Sequence, residues 1–288
     1  MLKRVVTIQD ISCFGKCSST VALPLISAMG VETAVIPTAV LSTHTGGFTG
    51  YTFRDLTADI PKIAAHWNGL KLHFDGIYTG YLGSREQVQI IAEFFDTFRS
   101  DSTTIVVDPV MGDAGKLYAG FTADFVLEMR KLCGKADVIT PNLTEVSLLL
   151  DIPYPETYTE ADIRSYLRRL TELGCSTAVI TGVRYDESHH GAVAYDSKTG
   201  QFYSAFREHV PEQMHGTGDI FASVLTGALV RGASIQEALS IAIRFTVDCI
   251  QATIDDLHTL PHDQAPWYGV EFEACIGNLV QYTQQIGK

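Results

Sequence analysis

Short apolar runs bounded by turn residues recur along this chain and predict a set of buried strands. They are rich in β-branched residues and lie at residues 4–8, 33–38, 74–79, 104–108, 137–140 and 177–181. Most of these runs are almost continuously apolar, as parallel strands are when both faces of their sheet are covered. We therefore expect a mainly parallel sheet with a layer of other elements on each face.

Helix-length segments separate these strands. Apolar residues fall on one helical face at Ile163, Leu167, Leu170 and Leu173, and again at Ala238, Ala242, Phe245 and Cys249. The alternation of strands and helices predicts an α/β fold, a three-layer α/β/α sandwich around a central sheet.

Two further segments predict additional elements of the fold, and the lack of linkers bears on the number of domains. Residues 191–196 and 201–206 flank a Lys-Thr-Gly turn and predict a small β-hairpin at the edge of the sheet. Residues 268–286 predict a final outer helix. Because no linker, low-complexity tract or internal repeat is visible, we expect a single domain over residues 1–288.

Composition narrows the class of function. The chain has 288 residues, 46% of them hydrophobic, so it can bury a large core. A formal net charge of −12, without clustered basic residues, argues against nucleic-acid or membrane partners. Six scattered cysteines lack any Cys-x-x-Cys pair, which favours reduced thiols over a zinc site. We expect a cytoplasmic protein that acts on small molecules.

Residues 215–221 (HGTGDIF) carry the strongest chemical signal. Gly216, Thr217 and Gly218 form a small-residue turn that leads into an apolar helical stretch. The unpaired N–H groups at such a helix start favour an anion. Asp219 follows at once and could serve as the base in phosphoryl transfer. A glycine turn capped by an acid explains these residues equally well when they are taken alone.

Polar residues also follow the carboxyl ends of predicted strands, the edge at which open α/β sheets bind ligands. Residues 108–113 (DPVMGD) bring two carboxylates, Asp108 and Asp113, whose hard oxygens suit magnesium shared with phosphates. A turn cap plus a surface acid is the alternative interpretation. Residues 140–145 (TPNLTE) follow the next strand, where Asn142 and Glu145 also match an ordinary helix start.

Taken together, these motifs resemble those of the ribokinase superfamily and, more closely, of its pyridoxal kinase branch. The matching segments, in order, are residues 8–9 (IQ), 42–45 (STHT), 80–84 (GYLGS), 108–113, 140–145 and 216–219 (GTGD). The resemblance implies a ribokinase-like fold and an ATP-dependent kinase that phosphorylates the hydroxymethyl group of pyridoxal, pyridoxine or pyridoxamine. It also implies ATP and Mg²⁺ as cofactors, a monovalent cation such as K⁺, and a homodimer.

The same resemblance implies roles for individual residues. Asp219 takes the proton of the substrate hydroxymethyl group, while Gly216, Thr217 and Gly218 form an anion hole. The implied metal residues are Asp108, Asp113 and Glu145. The implied nucleotide-binding residues are Thr140, Asn142, Glu145, Thr181, Gly216 and Thr217. The implied substrate contacts are Asp10, Thr45 and Tyr81, with Asp10 near the pyridine ring.

Asp10 departs from the pattern of the pyridoxal branch. Many pyridoxal kinases have Ser at this position, whereas hydroxymethylpyrimidine kinases of thiamine synthesis often carry Asp in the corresponding first loop. Residues 11–15 (ISCFG) lack the glycine-rich tract of those enzymes, and the STHT segment resembles the pyridoxal branch. We therefore predict a pyridoxal-type substrate, with a hydroxymethylpyrimidine kinase as the alternative and a non-enzymatic vitamin-binding protein as the third hypothesis. The loops at residues 12–16 and 41–54 are predicted to cover the substrate.

Overall fold

The computed structural model describes residues 2–210, 214–259 and 267–286. The strands are β1 (Arg4–Ser12), β2 (Glu32–Leu41), β3 (Phe53–Asp55), β4 (Gly76–Thr79), β5 (Thr104–Val107), β6 (Gly112–Asp113), β7 (Lys116–Leu117), β8 (Val138–Ile139), β9 (Thr177–Val183), β10 (His189–Asp196) and β11 (Gln201–Glu208). The helices are α1 (Ser19–Ala28), α2 (Ile60–Gly69), α3 (Arg85–Phe98), α4 (Ala123–Gly134), α5 (Leu143–Leu150), α6 (Glu160–Thr171), α7 (Thr217–Val230), α8 (Ile235–Thr259) and α9 (Ile276–Thr283).

Nine of these strands form one sheet in the order β11-β10-β9-β8-β5-β4-β1-β2-β3. The six strands from β9 to β2 in this order pair in parallel. The two edges are antiparallel, since β3 pairs with β2, and β10 pairs with both β9 and β11. The predicted mainly parallel sheet and its edge hairpin are thus confirmed. The strands β6 and β7 form a separate two-stranded hairpin.

Successive residues of the central strands point into two hydrophobic cores, one on each face of the sheet. In β1, Val6 packs into the core that contains side chains of α2 to α6, and Val5 into the core formed with α1, α7, α8 and α9. Ile105 and Val106 of β5 divide in the same way. Burial on both faces explains why these strands are almost continuously apolar. The predicted three-layer α/β/α sandwich is confirmed.

The first strand is longer than predicted, and this changes the position of Asp10. Pairing between β1 and β2 continues beyond an irregularity between Gln9 and Ile11, and it ends only at Ser12. Asp10 therefore lies within β1, at the irregularity between the paired residues Gln9 and Ile11, and not in a loop. The loop predicted at residues 41–54 likewise contains the start of a short edge strand, β3.

The prediction of one helix over residues 268–286 is wrong. Val270 and Phe272 are buried in the core, which holds this stretch in a non-helical path. A 3-10 turn at Glu273–Cys275 follows, and α9 covers only Ile276–Thr283. None of the helices in the described residues is both long and apolar enough for a membrane span.

Candidate active site

The parallel strands bring the predicted site residues to one edge of the sheet. Since β1, β4, β5, β8 and β9 run in the same direction, their carboxyl ends meet there. Asp10 lies near the end of β1, Asp108 directly after β5, and Thr140 directly after β8. Charge interactions also link Asp219, in the first turn of α7, to Asp10 and Asp108. The predicted catalytic residue and the predicted acidic residues are therefore neighbours.

The turn at residues 216–219, called the glycine turn below, begins α7 in a conformation that requires glycine at its first position. Gly216 caps the helix with φ of 86°, in the left-handed region. A Cβ at this position would overlap the carbonyl oxygen of Lys16. Gly216 is the N-cap and has no side chain that could accept from the first N–H groups of the helix, which leaves these groups for an external acceptor. Among the described residues, no atom outside the chain neighbours and the backbone of α7 lies within 4 Å of the point where a Cβ of Gly218 would stand, so this side of the turn faces open space.

Asp219 has the environment of a base that works near neutral pH. Burial raises the pKa of its carboxyl to about 7, a hydrogen bond with the Ser18 backbone lowers it, and the negative charge of Asp10 raises it. A base of this pKa can be ionised at neutral pH and still accept a proton effectively.

Asp10 is held beside Asp219 by the loop of residues 13–18, called the first loop below. Its carboxyl is only 6% exposed, and Oδ2 accepts a hydrogen bond of 3.0 Å from Ser12 Oγ. Burial raises the pKa of Asp10, while hydrogen bonds with Ser18 and Ser12 lower it. Burial also raises the pKa of the Tyr81 phenol, and the charge of Asp10 adds to this shift. Two of the three predicted substrate residues, Asp10 and Tyr81, are thus close to each other, and Asp10 is also close to Asp219.

Asp108 and Glu145 are both buried acids, but their surroundings differ. Burial raises the pKa of Asp108 to about 8, with the charge of Asp219 as a second cause, while the hydroxyl of Thr140 lowers it. Glu145 accepts backbone N–H bonds on both oxygens, from Met111 at 3.0 Å and from Asn142 at 2.8 Å. The capping box between Asn142 and Glu145 is present, as the alternative interpretation of these residues expected. Glu145 therefore orients the loops around it.

The donor set fits magnesium held by a small number of protein oxygens. Asp108 is a buried, crowded carboxylate, and Asp113 is exposed in β6. Within the described ranges, no group of three or more His, Cys, Asp or Glu residues is arranged to hold a metal ion. The residues Asp108, Asp113 and Glu145 therefore do not form a complete ligand shell by themselves. Magnesium commonly binds one or two carboxylates and completes its shell with phosphate oxygens and water.

The remaining predicted residues line the same edge or the loops above it. The Asn142 Nδ2 donates to the Gly112 carbonyl at 2.9 Å and so ties the β6–β7 hairpin to the start of α5. The backbone N–H of Thr181 donates to the Pro141 carbonyl at 3.0 Å. Thr45 is exposed in the loop between β2 and β3, and its contact with substrate stays a prediction.

The two loops predicted to cover the substrate are joined to each other and to the C-terminal part of the chain. The backbone N–H of Phe14 donates to Ser42, and that of His44 donates to Phe14. The His44 ring is 5% exposed and accepts at Nδ1 from the Gly46 N–H, at 3.1 Å. Its Nε2 therefore carries the proton and donates to the Tyr268 carbonyl at 2.7 Å.

Sequence reasoning missed several residues that shape the site. Ser18 contacts both Asp10 and Asp219, but its positive φ of 54° has no sequence signal in a serine. Burial raises the pKa of the Tyr118 phenol, and the charges of Glu145 and Asp113 add to the shift, so this ring lies among the acids. In the sequence, the signal that could have indicated Tyr118 is its position a few residues beyond the DPVMGD segment.

The family model of phosphomethylpyrimidine kinase matches residues 23–261 of this chain. The chain therefore belongs to this kinase family, the phosphomethylpyrimidine kinase and pyridoxal kinase family of the ribokinase superfamily. The resemblance of the sequence motifs to this family and superfamily is therefore confirmed.

Individual relatives agree with this assignment. The chain is 28% identical to the pyridoxine/pyridoxal/pyridoxamine kinase of Bordetella avium, over 88% of this chain and 86% of the relative. A crystal structure of pyridoxal kinase from Lactobacillus plantarum superposes with a TM-score of 0.89 at 32% identity, covering 99% of each chain. A Bacteroides thetaiotaomicron protein crystallised with pyridoxal superposes with a TM-score of 0.89 at 40% identity, covering 97% of this chain and 96% of the other.

Proposed function

We propose that this protein is an ATP-dependent kinase that phosphorylates the hydroxymethyl group of pyridoxal, pyridoxine or pyridoxamine. The observation that carries the proposal is the pairing of Asp219 with an uncapped glycine turn at the start of α7. The similarity to a protein crystallised with pyridoxal supports the choice of substrate. The single-domain organisation, the homodimer and the cytoplasmic location remain predictions that accompany this proposal.

The glycine turn and Asp219 act on the two reacting partners. Ionised Asp219 accepts the proton of the hydroxymethyl group as its oxygen attacks the terminal phosphorus of ATP. The N–H groups of Gly216, Thr217 and Gly218 donate to the phosphoryl oxygens, on which negative charge is spread in the transition state. The hydrogen bond with the Ser18 backbone favours the ionised form of Asp219 and fixes its orientation.

The acids that follow β5, the residues that follow β8, and Thr181 near the end of β9 hold the nucleotide side of the reaction. Asp108 and Asp113 would hold magnesium, directly or through water, with Glu145 orienting the backbone around them. When bound, the ion neutralises charge on the transferred phosphoryl group. Thr140, Asn142 and Thr181 border the nucleotide. A monovalent cation such as K⁺ would lie near Thr140 and Thr181.

Asp10, Thr45 and Tyr81 recognise the substrate ring in this proposal. Asp10 is buried, and its carboxyl oxygens can accept a hydrogen bond from a ring N–H or hydroxyl group of the substrate. Asp10 is also the observation that favours the second candidate, a hydroxymethylpyrimidine kinase, because such enzymes often carry Asp in the corresponding loop.

Detection of ADP by coupled enzymes tests the proposal. Wild-type protein is given ATP and Mg²⁺ with pyridoxal, pyridoxine, pyridoxamine or hydroxymethyl-aminopyrimidine, alone and in competition. The proposal expects ADP formation with a pyridoxal-type vitamer and a higher kcat/KM for it than for the aminopyrimidine. The reverse preference supports the second candidate. Vitamer binding without ADP formation would show a vitamin-binding protein and end the enzymatic proposal.

A further inference from the structure

Lys16 joins the first loop to residues 267–273, called the C-terminal segment below. Its Nζ lies 2.7 Å from Glu273 Oε2 and 4.0 Å from Glu271 Oε1. The ammonium also lies 5.7 Å from the centre of the Phe272 ring. The Lys16 side chain is only 15% exposed, whereas that of Glu273 is 55% exposed, so the lysine end of the ion pair is sheltered from water and the carboxylate end is not. This lysine is therefore an anchor between two segments distant in sequence.

The same lysine packs directly against the glycine turn. Its carbonyl oxygen occupies the space that a Cβ on Gly216 would need. A Cβ on Gly269 would lie 2.6 Å from Lys16 Cβ, so the C-terminal segment also packs closely against this residue. The Val270 N–H donates to the carbonyl of His215, the residue before the turn, at 3.2 Å. The position of Lys16 thus limits where the turn can lie.

Two residues after Lys16, Ser18 contacts both acids at the centre of the site. Its backbone lies close enough to the Asp219 carboxyl, and its side chain close enough to the Asp10 carboxyl, to favour the ionised form of each acid. Ser18 has φ of 54°, a conformation that costs free energy in a serine and persists only where the surroundings hold it. Lys16 anchors one end of the tripeptide at residues 16–18, and the other end orients the acids.

We propose that Lys16 is a positioning residue for phosphoryl transfer. Its ion pair with Glu273 fixes the backbone of residues 16–18, and this backbone orients Asp219 and supports the glycine turn. Lys16 itself does not touch the reacting groups. The inference rests on the proposed kinase function, because the reaction whose geometry it improves is the transfer to the hydroxymethyl group.

The test compares Lys16→Met with Lys16→Arg, and with Lys131→Met as a control. Lys131 forms an ion pair of 3.0 Å with Glu128, but its side chain is 71% exposed. A displacement of about 1 Å in a reacting group can lower turnover about 100-fold. We expect Lys16→Met to lower kcat by roughly 10- to 100-fold with little change in the KM values. Lys16→Arg should retain most of the rate, and Lys131→Met all of it. A wild-type kcat in folded Lys16→Met overturns the inference.

A double-mutant cycle identifies the partner. Glu273→Gln should also lower kcat, less than Lys16→Met because Glu271 remains 4.0 Å from the ammonium. The double variant should be no slower than Lys16→Met, because both changes remove the same interaction. Multiplied effects would show that the two residues act independently, contrary to the proposal.

Hydrogen exchange separates failure of this inference from failure of the proposed function. The Ser18 amide should lose protection in Lys16→Met and keep it in Lys131→Met, whether or not turnover is observed. If wild-type protein transfers no phosphoryl group to any vitamer, the proposed function fails while this structural link can still be measured. Unchanged Ser18 protection in Lys16→Met overturns the inference even if the kinase function stands.

Discussion

Alanine at either glycine of the glycine turn should impair catalysis, but the two changes should move stability in opposite directions. Gly216 has φ of 86° and abuts the Lys16 backbone, where an added Cβ would overlap the carbonyl oxygen and lie 3.3 Å from its carbon. Gly218 has no positive φ, lies in the first turn of α7, and has no described atom beyond its chain neighbours and its own helix within 4 Å of an added Cβ. The same methyl group therefore meets backbone at one position and open space at the other.

The expected free energies follow from these surroundings. At Gly216, the left-handed conformation costs a non-glycine residue about 1–2 kcal/mol, and overpacking against backbone adds about 1–3 kcal/mol. Gly216→Ala should therefore lower the free energy of unfolding by roughly 2–5 kcal/mol and Tm by about 4–10 °C. At Gly218, alanine should instead raise the free energy of unfolding by up to about 1 kcal/mol, because glycine is the poorer helix former.

Turnover should fall in both variants. In Gly216→Ala the turn shifts, and loss of one hydrogen-bond donor to a transition-state oxyanion lowers kcat about 100- to 1,000-fold. In Gly218→Ala the methyl group occupies the open space into which we expect the phosphoryl group to enter, and an error of about 1 Å there lowers kcat roughly 100-fold.

Thermal unfolding and ADP-coupled turnover, measured on the same samples, test this pair. A Gly218→Ala protein that is both more stable and fully active would show that no anion binds over this turn. A Gly216→Ala protein as stable as wild type would show that the turn does not have the geometry described.

Four further predictions concern the acids. Asp219→Asn should lower kcat by about 10²- to 10⁴-fold, and a near-normal rate in this variant would remove Asp219 from the mechanism. In the wild-type protein, kcat should rise with pH through about 7 as the Asp219 carboxylate forms. Burial raises the pKa of Asp219 above its value in the unfolded chain, so ionisation of this carboxyl opposes folding. Asp219→Asn removes this effect, and its gain in stability over wild type should grow from about pH 4 to pH 7 and then level off. A difference in Tm that does not change with pH would contradict this. Asp113→Ala should raise the Mg²⁺ concentration required for half-maximal rate more than the KM for the vitamer, and equal increases would contradict its role beside the nucleotide. Asp10→Ser should shift kcat/KM toward pyridoxal and away from the aminopyrimidine, and an unchanged ratio would show that Asp10 does not select the ring.

The layers of the fold could be predicted because each central strand is covered on both faces. Val5 and Val6 enter opposite cores, which requires apolar residues at consecutive positions and leaves a clear pattern in the sequence. The C-terminal residues gave no comparable pattern. Their path depends on Val270 and Phe272 packing against distant helices, and that tertiary contact overrides local helix preference.

The same distinction applies to the site. The positions of Asp108, Asn142 and Asp219 follow from strand ends and helix starts, which are local features, and parallel topology then brings them together. The roles of Ser18 and Lys16 depend on contacts between segments up to 257 residues apart in sequence. The spacing of residues along the sequence does not indicate such contacts. Glu145 illustrates a further limit, since its sequence motif fits both a metal ligand and the capping box that the structure contains.

The proton acceptor is the central claim, and a crystal structure of the protein with pyridoxal, Mg²⁺ and a non-hydrolysable ATP analogue tests it most directly. The account predicts an Asp219 carboxylate oxygen about 2.6–3.2 Å from the hydroxymethyl oxygen, and the terminal phosphoryl group over the amides of the glycine turn. A hydroxymethyl group bound away from Asp219, with another side chain in position to accept its proton, would contradict the account.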